Sequence, residues 1–254
     1  MSNSKLRTAA VHGALILALT SLFVLGQAAS SRAASITWGT PIGIAGVGDV
    51  IVSTDGVLVT AINFDADSTE GLMPRTVNTV TFAAQNSLTG WNDALFNADL
   101  YEGGNVGSDF ERMLDSFVFG DNAASPSATE TLALSGLTPN TIYQAQFFVS
   151  DDRSASDLNT REQNFTGGDN TSATTANGPG YSLIGTFVAD GASQLISITG
   201  FPGDVATGNP ILNAYQVREL GAAAVVPEPS TALLAAIGIV GLIAFARRKK
   251  KNAG

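Results

Sequence analysis

The sequence predicts an all-β protein: a two-sheet β-sandwich, jelly-roll-like, set between an N-terminal signal peptide and a single C-terminal transmembrane helix. Three observations predict it. Short runs of β-branched and aromatic residues recur between Gly, Pro, Asn and Asp turn signals from residue 49 to residue 217. The chain has no cysteine, so a secreted domain of this kind must rest on a hydrophobic core instead of disulfides. Both termini carry uncharged apolar stretches beside basic residues, and neither resembles the middle in composition.

Residues 1–34 hold Lys5 and Arg7, an apolar run over 9–25, and then small residues suited to cleavage after Ala28, Ala33 or Ala34. That is the layout of a secretory signal peptide. Residues 35–220 remain as one domain; a chain of this size buries about 70% of its unfolded surface.

Within the domain, Asp49-Val50-Ile51-Val52 predicts a strand, Ser53-Thr54-Asp55-Gly56 a turn, and 57–63 the strand that follows it. Alternation over 77–82 and at Leu132-Ala133-Leu134 predicts further strands. Pro139-Asn140 separates two apolar runs, and Tyr143 begins the second, as at the tyrosine corner of many sandwiches. Late strands are expected at 183–188, 195–198 and 211–217. Ser108-Asp109-Phe110-Glu111 has capping-box spacing and puts Phe110, Leu114 and Phe117 on one helical face; a strand over 114–119 is the alternative.

Charge and composition exclude much chemistry. All four lysines lie in the terminal segments, and residues 35–220 hold 21 acidic residues against five arginines, a formal charge of −16. Such a surface repels phosphate backbones, so no nucleic-acid partner is expected. The only histidine is His12, inside the signal peptide. Without His, Cys or Lys the domain builds no Ser-His-Asp or Cys-His centre, no imidazole or thiolate zinc site and no Schiff base. Paired carboxylates remain available to a glycosidase. Gly43, Gly46 and Gly48 form no phosphate loop, because a β-branched run, not a helix, follows them.

Four candidate sites stand out. Asp65, Asp67 and Glu70 supply closely spaced hard oxygens for Ca2+, although a solvated acidic loop accounts for them too. Residues 151–180 read as one long polar loop; Asp151, Asp152, Arg153 and Arg161 either fix it by ion pairing or bind a ligand. Trp91, in Thr89-Gly90-Trp91-Asn92-Asp93, is the best ring for stacking on a sugar, while Trp38 is expected in the core.

The fourth is the C-terminus, 221–254. Val226-Pro227-Glu228-Pro229-Ser230 precedes an uncharged span at 231–246 and the basic run 247–251. The span has 16 residues, slightly under the usual ~17–25, and the cations hold its end in the cytoplasm. The two prolines keep the segment before the span extended. Motif, span and basic tail in this order resemble the PEP-CTERM sorting signal of bacterial surface proteins. The resemblance implies recognition of Pro227, Glu228 and Pro229 by a membrane-bound exosortase. More loosely, Gly48-Asp49-Val50, Thr76-Val77-Asn78-Thr79-Val80-Thr81-Phe82, Ser150-Asp151-Asp152-Arg153 and Leu212-Asn213-Ala214-Tyr215-Gln216-Val217-Arg218 resemble PEP-CTERM proteins with jelly-roll, galactose-binding-like domains.

The expected protein is therefore exported, held first in the cytoplasmic membrane with its domain outside, and then placed at the cell surface or in the extracellular matrix. It is expected to be non-enzymatic and to bind extracellular polysaccharide. A polysaccharide hydrolase using paired carboxylates is the competing reading.

Overall fold

A computed structural model describes residues 34–44, 48–64, 72–91, 108–120, 127–151, 160–178, 180–202 and 208–224. Met1–Gly221 forms one compact unit and Ala222–Gly254 a second. All of the expected signal peptide 1–34 except Ala34, and the expected C-terminal span 231–246, lie outside the described residues.

In chain order the elements are β1 (Thr37–Trp38), β2 (Ile42–Gly43), β3 (Val57–Asn63), β4 (Arg75–Val77), β5 (Val80–Ala84), α1 (Asp109–Leu114), β6 (Val118–Phe119), β7 (Thr129–Ser135), β8 (Thr141–Val149), β9 (Glu162–Gly167), β10 (Asn170–Thr171), β11 (Thr175–Ala176), β12 (Tyr181–Val188), β13 (Ser193–Phe201), β14 (Ile211–Leu212) and β15 (Ala214–Ala222). The larger sheet runs β1-β12-β8-β15-β3-β5-β4, with β2 also on β12. The smaller runs β10-β9-β13-β7, with β11 also on β9, and β14 pairs with β6.

β8 shows why these sheets pack. Its first residues alternate between buried and half-buried, and from Ala145 to Val149 every side chain is buried. A strand reads as continuously apolar when both faces of its sheet are covered. Phe147 points to the smaller sheet, its ring 5.0 Å from that of Phe165 on β9. Leu132, Leu134, Ile196 and Ile198 complete that inter-sheet core. Phe148 points the other way, edge-on to Phe82 at 6.0 Å and Phe110 at 6.4 Å. A second core with Val77, Val80, Met113 and Leu114 fills that outer face. Each large side chain so buried contributes about 1.5–3 kcal/mol.

The expected corner forms. Asn140 takes φ +61°, and the Tyr143 hydroxyl accepts the Thr138 N–H at 2.8 Å. α1 also forms: Ser108 is its N-cap, accepting the Glu111 N–H at 3.1 Å, and Phe110 and Leu114 are buried. Only after it, at β6, does the chain become the strand that was the alternative.

Three expectations are corrected. Residues 49–52 are not a strand; Gly48–Ile51 is a 3₁₀ turn with Val50 79% exposed. It is held from outside, because the Gln146 side chain donates to Ile51 O at 2.7 Å and accepts the Ser53 N–H at 2.9 Å. The alternation over 77–82 is interrupted: Asn78 and Thr79 both have positive φ and turn β4 back onto β5. The polar stretch 151–180 is not one loop, since β9, β10 and β11 lie inside it.

Candidate functional site

β9 positions the end of the sandwich where the predicted ligand loop begins. Its inner residues are Gln163, Phe165 and Gly167, all buried. Gln163 satisfies both polar groups of Ile211, donating to its carbonyl at 3.0 Å and accepting its N–H at 2.9 Å. This pins β9 to the start of β14.

Asp151 and Arg161 stand on either side of residues 152–159. Asn177 joins them through backbone: its carbonyl accepts the Asp151 N–H at 3.2 Å, and its N–H donates to the Arg161 carbonyl at 2.8 Å. The structure thus brings these two predicted residues to one end of the fold. Asp151 is wholly buried, so its carboxylate is closed to a substrate as it stands. Asp152 and Arg153 lie outside the described residues, as do Asp65, Asp67 and Glu70. Among the described residues no three acidic, His or Cys side chains gather to hold a metal ion.

Asn213, between β14 and β15, ties this end to the helix. Its Oδ1 accepts the Ser150 N–H at 2.7 Å, and its Nδ2 donates to the carbonyls of Leu114 (2.8 Å), Ser116 (3.0 Å) and Ser150 (3.2 Å). The Ser116 hydroxyl in turn donates to Phe64 O. Neither Asn177 nor Asn213 was among the predicted site residues. The signal for Asn213 was present: an amide set in the apolar run Ile211-Leu212-Asn213-Ala214 must find partners if the run is buried.

Trp91 corrects the stacking expectation. It is 6% exposed in the inter-sheet core, and its indole N–H donates to Thr131 O at 3.2 Å. A ring this buried offers no open face to a sugar. Trp38, expected inside, is half-buried: its ring lies 6.1 Å from Phe147 and 6.0 Å from Phe165, and its indole N–H donates to Asn170 O. It covers Gly185, whose register partner it is and where a Cβ would come within 2.7 Å of the indole.

A second buried polar network lies under the turn before β3. Arg218 donates to the carbonyls of Thr54 (3.1 Å), Asp55 (2.6 Å) and Gly56 (3.0 Å), and to Gln216 Oε1. Gln216 donates to Gln146, and Gln146 to Ser182. Burial lowers the Arg218 pKa, and the Asp55 carboxylate opposes that shift. Every arm of the guanidinium ends on backbone or on a satisfied amide, so this is a clamp on the turn.

With this geometry in view, the chain compares with known proteins as follows. The PEP-CTERM protein-sorting motif matches residues 225–251. No curated protein matches the chain. Among solved structures, the ANX2 ectodomain from Arabidopsis thaliana is similar at 12% identity and TM-score 0.43, over 65% of this chain and 53% of that one. The ANXUR1 extracellular domain from Arabidopsis thaliana is similar at 12% identity and TM-score 0.39, over 64% and 48%. The chain thus spans about half the length of these ectodomains.

The C-terminal signal of residues 225–251 is therefore a PEP-CTERM sorting motif, the mark of an exported protein anchored in the membrane before an exosortase processes it. Pro227, Glu228 and Pro229 fall within it, outside the described residues. Among the described residues no helix is long and apolar enough to cross a membrane.

Proposed function

We propose that this is a non-enzymatic cell-surface or extracellular-matrix protein whose sandwich, read as jelly-roll-like, binds extracellular glycan. The observation that carries the reading is the sorting motif at residues 225–251, the mark of an exported protein. The chemistry of the domain supports it: residues 35–220 lack His, Cys and Lys, the groups on which most hydrolytic and transfer centres depend. Signal-peptide removal belongs to the same reading. The Ala34 carbonyl accepts the Gln194 amide at 3.1 Å, a contact that cleavage after Ala28 or Ala33 keeps.

Ca2+ enters as a proposed cofactor at the acidic segments containing Asp65, Asp67 and Glu70, and Asp151 and Asp152. A glycan array probed with the detergent-solubilised full chain, with and without calcium, tests the whole reading. Retention on a defined glycan class is the expected result. Retention on none defeats glycan binding, and release of shortened oligosaccharides returns the hydrolase reading. A calcium site would raise the Tm at millimolar calcium, reversibly on chelation.

A further inference from the structure

The outward face of the smaller sheet carries two complete rows of short polar side chains across three strands. Register sets Thr129 (β7) against Thr199 (β13) and Thr199 against Asn164 (β9). The next row is Thr131, Ser197 and Thr166 in the same order. Directly opposed residues share a face, and their alternation with the buried Leu132, Ile198 and Phe165 sets that face outward. Thr129 and Thr131 are exposed, and the other four are half-buried.

None of the six carries charge, in a domain whose formal charge is −16. The nearest acidic position on the face, Glu162, lies one step beyond the first row, opposite Phe201. Hydroxyls pair across the strands, Thr129 with Thr199 and Thr166 with Thr171, each at 2.9 Å. A hydroxyl has one donor and two acceptor positions, so each pair is oriented and still has capacity for an outside partner. Rows about 4.8 Å apart across the strands and about 6.8 Å along them repeat at the scale of a pyranose ring.

We infer that this face is the docking surface for the glycan of the preceding section, and that the glycan is an uncharged polyhydroxyl polymer. The inference rests on the glycan-binding reading. The charge pattern selects the occupant. An anionic polymer approaching the face meets the field of the acidic domain. A second copy would bring two domains of charge −16 within the Debye length of about 8 Å. A lipid surface asks for apolar area, and among the described residues of this face only Leu195, 52% exposed, and the half-buried Phe201 at its end are large and apolar. A neutral polyol incurs no charge repulsion and matches the hydroxyls donor for acceptor.

The test is co-sedimentation of the detergent-solubilised full chain with particles of an insoluble neutral glucan, and in parallel with an anionic polysaccharide gel. Ser197→Glu and Ser197→Lys each place a charge at the centre of the face, Thr131→Lys does so at its exposed edge strand, and Val57→Lys on the larger sheet is the control. Thermal unfolding checks that each variant is folded. The expected result is retention on the glucan, a drop of at least tenfold with either charge at Ser197 and with Thr131→Lys, and none with Val57→Lys. Undiminished retention by folded Ser197 and Thr131 variants overturns this face while leaving glycan binding intact. Preference for the anionic gel, enhanced by Ser197→Lys, overturns the neutral occupant. A wild-type dimer that Ser197→Glu splits, seen by sedimentation velocity, makes the occupant a second copy. Wild-type retention on neither material defeats the glycan reading itself.

Discussion

Trp91 carries its indole N–H to a carbonyl of β7, the edge strand of the smaller sheet. Covering an edge satisfies polar groups that would otherwise invite pairing with another chain. Trp91→Ala removes both packing and cover, and should cost about 3–5 kcal/mol in urea unfolding and promote aggregation. Trp91→Phe keeps most of the packing and should cost about 1 kcal/mol. Full stability of Trp91→Ala combined with lost glycan retention would restore the ring as a sugar platform. Tyr181 makes a prediction about pH. Burial raises its pKa above the ordinary 10.0, with the Gln163 side chain opposing. The Gln163 amide near the phenol is already committed to Ile211, so among the described residues the Tyr181 hydroxyl makes no hydrogen bond of good geometry. The unfolded chain keeps the ordinary value, so the neutral phenol favours folding below pH ~10 and stability falls as pH rises beyond it. Tyr181→Phe should leave stability at pH 7 unchanged or higher, and flatten the alkaline decline in denaturant midpoint. A less stable Tyr181→Phe at pH 7 would mean that the hydroxyl has a partner. Tyr215, also raised by burial, retains the remainder of the pH dependence.

At the scale of elements, what was legible in the sequence was what local chemistry decides. The Ser108 cap and the Tyr143 corner each use a side chain within five residues of its partner, so spacing alone exposed them. β9 was hidden because its inner face carries Gln163, and only the distant Ile211 makes an amide acceptable there. The 3₁₀ turn at Gly48–Ile51 misled for the same reason: its β-branched residues favour a strand, and the amide of Gln146 overrides them. Trp91 misled because polar neighbours in sequence say nothing about the β7 edge it reaches. The candidate site was legible only as a polar region containing Asp151 and Arg161; Asn177 joins them through backbone groups that leave no sequence signal. The cap gives the test at this scale. Ser108→Ala should lower stability by about 1 kcal/mol and Ser108→Gly by only a few tenths, since glycine leaves the first-turn N–H groups open to water. Equal losses in the two variants would show that Ser108 acts through packing.

Over the whole molecule, the domain and the signal divide the work between them. The domain's β15 ends at Ala222, and the sorting motif begins at residue 225. The last strand among the described residues is therefore complete before the sorting motif starts, and cutting within the motif removes none of the described strands. In the signal, two prolines disfavour helix around Glu228, which is the only charge in the sequence between Glu219 and Arg247. The expected roles of the uncharged 231–246 and of the cations of 247–251 differ from that of the motif: an apolar span partitions into a bilayer, and a basic cluster resists translocation. At 16 residues a span is short for an average bilayer, and a short span is accommodated by local thinning and by flanking charged residues. Replacing Pro227, Glu228 and Pro229 together by alanine should leave insertion intact and block maturation, so that most of the chain accumulates as full-length precursor in membranes of the native host. Deleting 247–251 should instead leave the motif readable and weaken retention, with more unprocessed protein outside. Fractionation and immunoblotting distinguish the two. A triple-alanine variant processed and distributed as the wild type would remove these three residues from recognition and leave 231–246 an ordinary membrane anchor.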